Sequence, residues 1–302
     1  MQLTDETLRI LDALALRTRR SFFGIRQGAH RSQRRGHGVE FAEYRKYEVG
    51  DNPRAIDWGL FARSDKLYIK RYLEEETVSV MVVVDASPSL THAALREKWD
   101  LACSLTACIS YVALAHQDPV AISILGEAHS PTYWGGKAFA SVQQFLNQQS
   151  EKIIRNSEEA SAAPSLSLTE AAHRAATRAR FPGICVVISD FLYPIEQAAQ
   201  VLGAFAARNM EVHALQVLSA SDLTPCPSLG SATVIDSETG ETVPLALDED
   251  ARATYSALLE KHANDLRYHC HGHQIQITRS VTGDDSAQEI AIETLAQMGL
   301  FV

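Results

Sequence analysis

A chain of 302 residues can bury one large core and carry one to three domains, and 46% hydrophobic with 22% charged residues excludes broad disorder. The formal net charge of −9 argues against a dedicated nucleic-acid binder, and no run approaches the roughly 20 apolar residues that span a bilayer. Five cysteines without framework spacing fit reduced thiols, so the expectation is a soluble cytoplasmic protein with no direct membrane span. The first twenty residues place acids ahead of Leu8, Leu11, Leu14 and Leu16, which reads as an amphipathic helix and not a signal peptide. Charge is uneven along the chain. Arg17, Arg19, Arg20, Arg26, Arg31, Arg34 and Arg35 crowd the first third and suit an acidic partner or the chain's own acidic surface.

From about Phe22 to Lys70 the chain is rich in Gly and Arg, without helical periodicity, and punctuated by Gly36-His37-Gly38 and Gly50-Asp51-Asn52-Pro53. A loop-rich module is expected there, with Phe41, Tyr44, Tyr47, Trp58 and Phe61 supplying apolar area and Trp58 belonging to the core. Strand character begins at Leu67–Ile69 and returns at Val78. A helix is predicted over 96–117, a strand over 119–126, a helix over 139–148, and an exposed Ala/Ser-rich loop over 150–167. A helix over 168–180 leads to the strand 183–189, followed by a helix over 195–208 and a strand over 211–218. A hairpin over 231–247 turns at Ser237–Gly240, and helix 250–266, strand 273–278 and helix 286–298 complete the series. Strands alternating with helices predict a mostly parallel sheet flanked by helices, with domains at residues 1–72 and 73–302.

Val80 to Val84 is a continuous apolar run that stops at Asp85, with Ser87 and Ser89 at alternate positions after it. The strand Ile184–Ser189 ends the same way, at Asp190. Ligands of open α/β sheets bind beyond the carboxyl ends of such strands, so two acids and two hydroxyls are expected to meet there. That donor set suits magnesium and offers nothing soft for zinc. The plainer alternative has Asp85 capping the following turn and the serines satisfying backbone donors.

Asp85-x-Ser87-x-Ser89 resembles the metal-ion-dependent adhesion site of the von Willebrand factor A domain. The resemblance implies magnesium, or another divalent cation, held by Ser87, Ser89 and a second-loop hydroxyl, with Asp85 and Asp190 acting through water. Ser167 stands best for the second-loop threonine, with Ser165 and Thr169 as alternatives. Gly28-x-His30-x-Ser32, Gly36-x-Gly38, Glu40-Phe41, Arg45-x-Tyr47, Gly50-Asp51, Arg54, Ile56-Asp57-Trp58 and Ala62-Arg63 resemble the signature of the domain-of-unknown-function family 58, which runs into a von Willebrand A domain. That resemblance implies an adaptor working with a MoxR-type AAA+ ATPase in chaperone-like assembly or maturation of client proteins, and no enzyme. The alternative is a metal-dependent hydrolase acting on a phosphoryl substrate through Asp85 and Asp190. It is disfavoured because no candidate general base or lysine accompanies the acids in the predicted loops. Arg45, Asp51, Arg54, Asp57 and Arg63 form either a partner-binding surface or, as favoured, an internal network of charge-assisted hydrogen bonds. His269-Cys270-His271-x-His273 is too tightly spaced to close a zinc site alone, and Gly135-Gly136-Lys137 lacks a phosphate-loop pattern.

Overall fold

The computed structural model describes residues 2–16, 23–27, 40–51, 53–75, 78–91, 96–158, 166–180, 183–224, 230–236 and 241–300. Two compact units result, one of residues 1–18 with 78–302 and one of residues 19–77. The amino-terminal helix α1 (Asp5–Leu11) therefore goes with the larger unit, whereas the sequence groups it with the Arg/Gly-rich segment. Its burial explains why: Leu3 and Leu11 join the same apolar cluster as Trp99 and Leu295.

The smaller unit is not the loop-rich module expected. Strands β1 (Phe23–Gln27), β2 (Glu40–Lys46) and β3 (Tyr68–Glu75) form an antiparallel sheet in the order β1-β3-β2, with a register shift between Phe41 and Glu43. A seven-residue helix α2 (Trp58–Ser64) sits between β2 and β3 in sequence. Ladder hydrogen bonds satisfy this backbone, so a small apolar nucleus suffices. Among the described residues it is Ile56 and Ile69, with Tyr47 against them. The basic run Arg17, Arg19, Arg20, Arg31, Arg34 and Arg35, and the motif parts Gly28–Ser32 and Gly36–Gly38, lie outside the described residues.

The larger unit is built on a six-stranded sheet in the order β11-β8-β7-β4-β5-β6. Its strands are β4 (Ser79–Val84), β5 (Val120–Ile124), β6 (Ala128–His129), β7 (Gly183–Ser189), β8 (Glu211–Leu218) and β11 (Gln276–Val281). All pairings are parallel except the short edge strand β6. The apolar run of β4 is continuous because both faces are covered. Val80, Val82 and Val84 pack with Leu105 and Val112 of α4 (Arg96–Ala115), Val142 of α5 (Phe139–Glu158) and Leu295 of α10 (Ala287–Gln297). Met81 and Val83 face the other way, with Ala172 of α6 (Leu168–Ala176), Val201 of α7 (Ile195–Ala206) and Leu266 of α9 (Glu249–Gly272). At the start of β7 the backbones close so tightly that a Cβ on Gly183 would lie 2.5 Å from the Arg180 carbonyl oxygen and 2.7 Å from that of Ser79.

Two helices outrun the expectation. α5 continues to Glu158 through the region expected to be an exposed loop, because Ile153 is buried and the Trp99 indole donates to Ser150 Oγ at 2.8 Å. α9 continues to Gly272, so the last strand starts at Gln276 and not at His273. The hairpin β9 (Gly230–Ile235) and β10 (Thr242–Leu247) forms with Thr242 opposite Ile235, its turn at Ser237–Gly240 lying outside the described residues.

Candidate functional site

Val84 pairs with Ile188 across adjacent parallel strands, so the residues that follow leave the sheet side by side at its carboxyl edge. The Asp85 amide donates to the Ile188 carbonyl at 2.9 Å. Asp85 and Asp190 are thus brought together as expected, and both are buried. Asp85 Oδ1 accepts from the Ser87 amide at 2.8 Å, and Oδ2 accepts from Ser189 Oγ at 2.7 Å. Burial and the neighbouring Asp190 push the Asp85 carboxyl up to about 6. Burial, with Asp85 beside it, also holds the Tyr193 phenol well above its usual range. In front of this pair the Ser87 and Ser89 hydroxyls are partly exposed and 3.1 Å apart. The plainer alternative is realised in its first half, since the Asp85 carboxylate accepts from the Ser87 amide just ahead of the short helix α3 (Pro88–Thr91).

Behind Asp190 stands a residue the sequence did not single out. Lys98, in the first turn of α4, points its ammonium at Asp190 Oδ2 and at Asp222 Oδ2, 3.1 Å from each, with its own side chain only 1% exposed. Asp222 belongs to the short helix α8 (Ala220–Leu223) that follows β8. Lys98 comes from a helix, and not from the loops in which the sequence shows no lysine beside the acids. In sequence Lys98 is one of four charged residues, with Arg96, Glu97 and Asp100, that open α4, so nothing there marks it out from a solvated helix start.

Ser167 has another task. It caps α6, its hydroxyl accepting from the Glu170 amide at 3.3 Å and donating to Glu170 Oε2 at 2.8 Å. Thr169 Oγ1 donates to Gln200 at 3.2 Å, and Ser165 lies outside the described residues. Among the described residues no three His, Cys, Asp or Glu side chains gather to hold a metal. The hydroxyl pair nonetheless suits a hard cation: oxygens 3.1 Å apart match neighbouring corners of an octahedron with bonds of about 2.1 Å. The donor set fits a hydrated magnesium ion and does not fit zinc.

The signature residues of the smaller unit bond largely among themselves. Arg45 Nη2 reaches both Asp51 oxygens at 2.7 Å, while Asp51 Oδ2 also accepts from the Glu48 amide at 2.9 Å. Asp57 caps α2 through the Gly59 and Leu60 amides, at 2.9 and 3.0 Å, and accepts from the Tyr44 hydroxyl at 3.0 Å. Arg63 is exposed and donates to the Gly59 carbonyl, and Arg54 is exposed in the turn Pro53–Ala55. Trp58 is not a core residue. It is 61% exposed, since it opens a short helix that buries no side chain, and it meets Phe61 edge-on at 6.0 Å.

The histidine cluster ends α9 instead of entering a strand. Cys270 is buried in the core, while the His269 and His273 rings lie 4.5 Å apart; burial and His273 hold the His269 ring below its usual range. Cys103 and Cys108 are buried small hydrophobes, their thiols pushed up to about 12 chiefly by burial.

A family profile described as "Protein of unknown function DUF58" matches residues 43–265. The chain is 28% identical over 261 residues to the uncharacterized protein Rv1480 of Mycobacterium tuberculosis and equally to the uncharacterized protein Mb1516 of Mycobacterium bovis, covering 85% of this chain and 78% of each relative. Among solved structures it is similar to the conserved hypothetical protein BatB of Bacteroides thetaiotaomicron (15% identity, 74% of this chain, 98% of that one, TM-score 0.42). It is also similar to an aerotolerance-related membrane protein of Bacteroides fragilis (18% identity, 74% and 98%, TM-score 0.39). That neighbour's description runs against the cytoplasmic location expected from the sequence, and the expectation is withdrawn. Among the described residues, no helix is long and apolar enough to cross a membrane.

Proposed function

The chain belongs to the DUF58 family, and we propose that its larger unit is a von Willebrand A-type interaction domain that engages a partner through the carboxyl edge of its sheet. The observation that carries this reading is the emergence of Asp85 and Asp190 side by side behind the paired Ser87 and Ser89 hydroxyls. Ser87 and Ser89 would hold a divalent cation there, with the two carboxylates supplying charge from behind. A bound cation offers an open position to a partner's carboxylate, which makes capture metal-dependent. The Asp85 bonds to Ser87 and Ser189 fix the loop that presents both hydroxyls, so the site is shaped before any partner arrives.

The partner in this reading is a MoxR-type AAA+ ATPase, with the chain acting as an adaptor in the assembly or maturation of client proteins. Hydrolysis at the same edge is the weaker reading even with a lysine present, because Lys98 is enclosed between two carboxylates and cannot reach a substrate. The test is capture of a purified MoxR-type ATPase by the immobilised protein. Capture should be retained in magnesium, lost in chelator, and lost in the Ser87→Ala/Ser89→Ala variant at unchanged melting temperature. Equal capture with and without chelator would overturn the metal dependence.

A further inference from the structure

A second feature of the larger unit has the chemistry of a binding site and lies outside the Asp85 cluster. β5 ends at Ile124, and the chain reverses through Gly126, whose φ of 77° suits glycine, into β6. Between this turn and α6 is a cavity of about 150 Å³ lined by Gly126, Glu127, His129, Leu166, Arg174 and Arg178 among others. Arg174 and Arg178 are exposed and one helical turn apart, a spacing at which like charges repel. Among the described residues no carboxylate pairs with either guanidinium. The acid that lines the cavity, Glu127, is taken by Lys152 at 3.0 Å.

The third basic group faces the same space. His129 Nδ1 is bonded to the buried Ser123 hydroxyl at 2.8 Å, which fixes the ring and, among the described residues, leaves Nε2 without a hydrogen bond. Burial, then Arg178 and Arg174, hold this imidazole below its usual range, so both guanidinium fields reach the ring. Two arginines that pair with no carboxylate among the described residues line one small cavity with a fixed histidine, in a chain of net charge −9, and such a set suits an anion. The volume admits one oxyanion group and a few waters.

We infer that the cavity between the β5–β6 turn and α6 binds a single oxyanion group, phosphate or carboxylate, at Arg174, Arg178 and His129. The site stands independently of any metal at Ser87 and Ser89. It opens one strand away on the same sheet edge, where the Leu125 amide donates to the Val84 carbonyl at 2.9 Å.

The test uses the full chain in chelator, with inorganic phosphate and acetate as probes and the His129 ring followed by NMR. Saturable shifts at His129 are expected, together with a rise in its pKa at saturation, because a bound anion offsets the two guanidiniums. Affinity should fall about tenfold in Arg174→Gln and again in Arg178→Gln, as loss of a charge-assisted bond implies. Both residues are exposed, so an unchanged melting temperature certifies the fold of each variant. Tighter phosphate than acetate assigns a phosphoryl group, and parity assigns a carboxylate. Absence of saturation at His129, or equal affinity in the double variant, overturns the proposal. Because chelator is present throughout, failure of metal-dependent capture would leave this result untouched.

Discussion

Each unit sets a basic side chain against an acid, and the two pairs differ in almost everything but chemistry. Arg45 and Asp51 meet at 2.7 Å with 32% and 11% of their side chains exposed, while Lys98 and Asp190 meet at 3.1 Å with 1% each. Bond length alone would rank the arginine pair first. Burial reverses the ranking, because water and salt screen the first pair and scarcely reach the second. Moving three charges out of water costs several kcal/mol per ion, and the arrangement holds only while Lys98, Asp190 and Asp222 offset one another.

The largest effect should come from Lys98→Met, which leaves two acids without their cation and should lower stability by about 3–5 kcal/mol in urea unfolding. Adding Asp222→Asn should recover part of that loss, since one uncompensated charge is removed with its partner. A loss under about 1 kcal/mol in the single variant would break the comparison, for the pair would then behave as a surface one. Next is Asp85→Asn in chelator. The Asp85 carboxyl titrates near 6 in the folded protein against an ordinary 3.8, so its protonated form adds stability below pH about 4, and that contribution is lost as pH rises through 6. The variant, which does not titrate there, should gain on the wild type by on the order of 3 kcal/mol between pH 4 and pH 8. Smallest is Arg45→Gln, expected to cost about 1 kcal/mol or less at low salt and nothing measurable in about 1 M salt, where screening acts within roughly 3 Å.

The same contrast separates what the sequence discloses from what it hides. β4 and β7 were readable because a strand covered on both faces must be apolar throughout, and an acid ending each one fixes where the edge lies. Lys98 was hidden because a lysine in a first helical turn usually meets solvent, and its two partners are placed by strands remote in sequence. Ser167 misled for a related reason: Ser-x-x-Glu ahead of an apolar helix is a capping signature, and here the cap has the hydroxyl. In the smaller unit, ladder bonds that leave no hydrophobic pattern hold three strands together, so arginines and glycines read as loop.

The amino-terminal helix is stitched to α10 by Gln288, whose amide group meets the backbones of Gln2 and Thr4 and the hydroxyl of Thr7 at 2.9–3.0 Å. During synthesis α1 leaves the ribosome long before α10 exists. Its seat, formed by α4 and α10 together, is finished only after nearly the whole larger unit has emerged. Leu3 and Leu11 therefore wait for their full cover until late in translation, which makes this clasp a late, long-range step in folding.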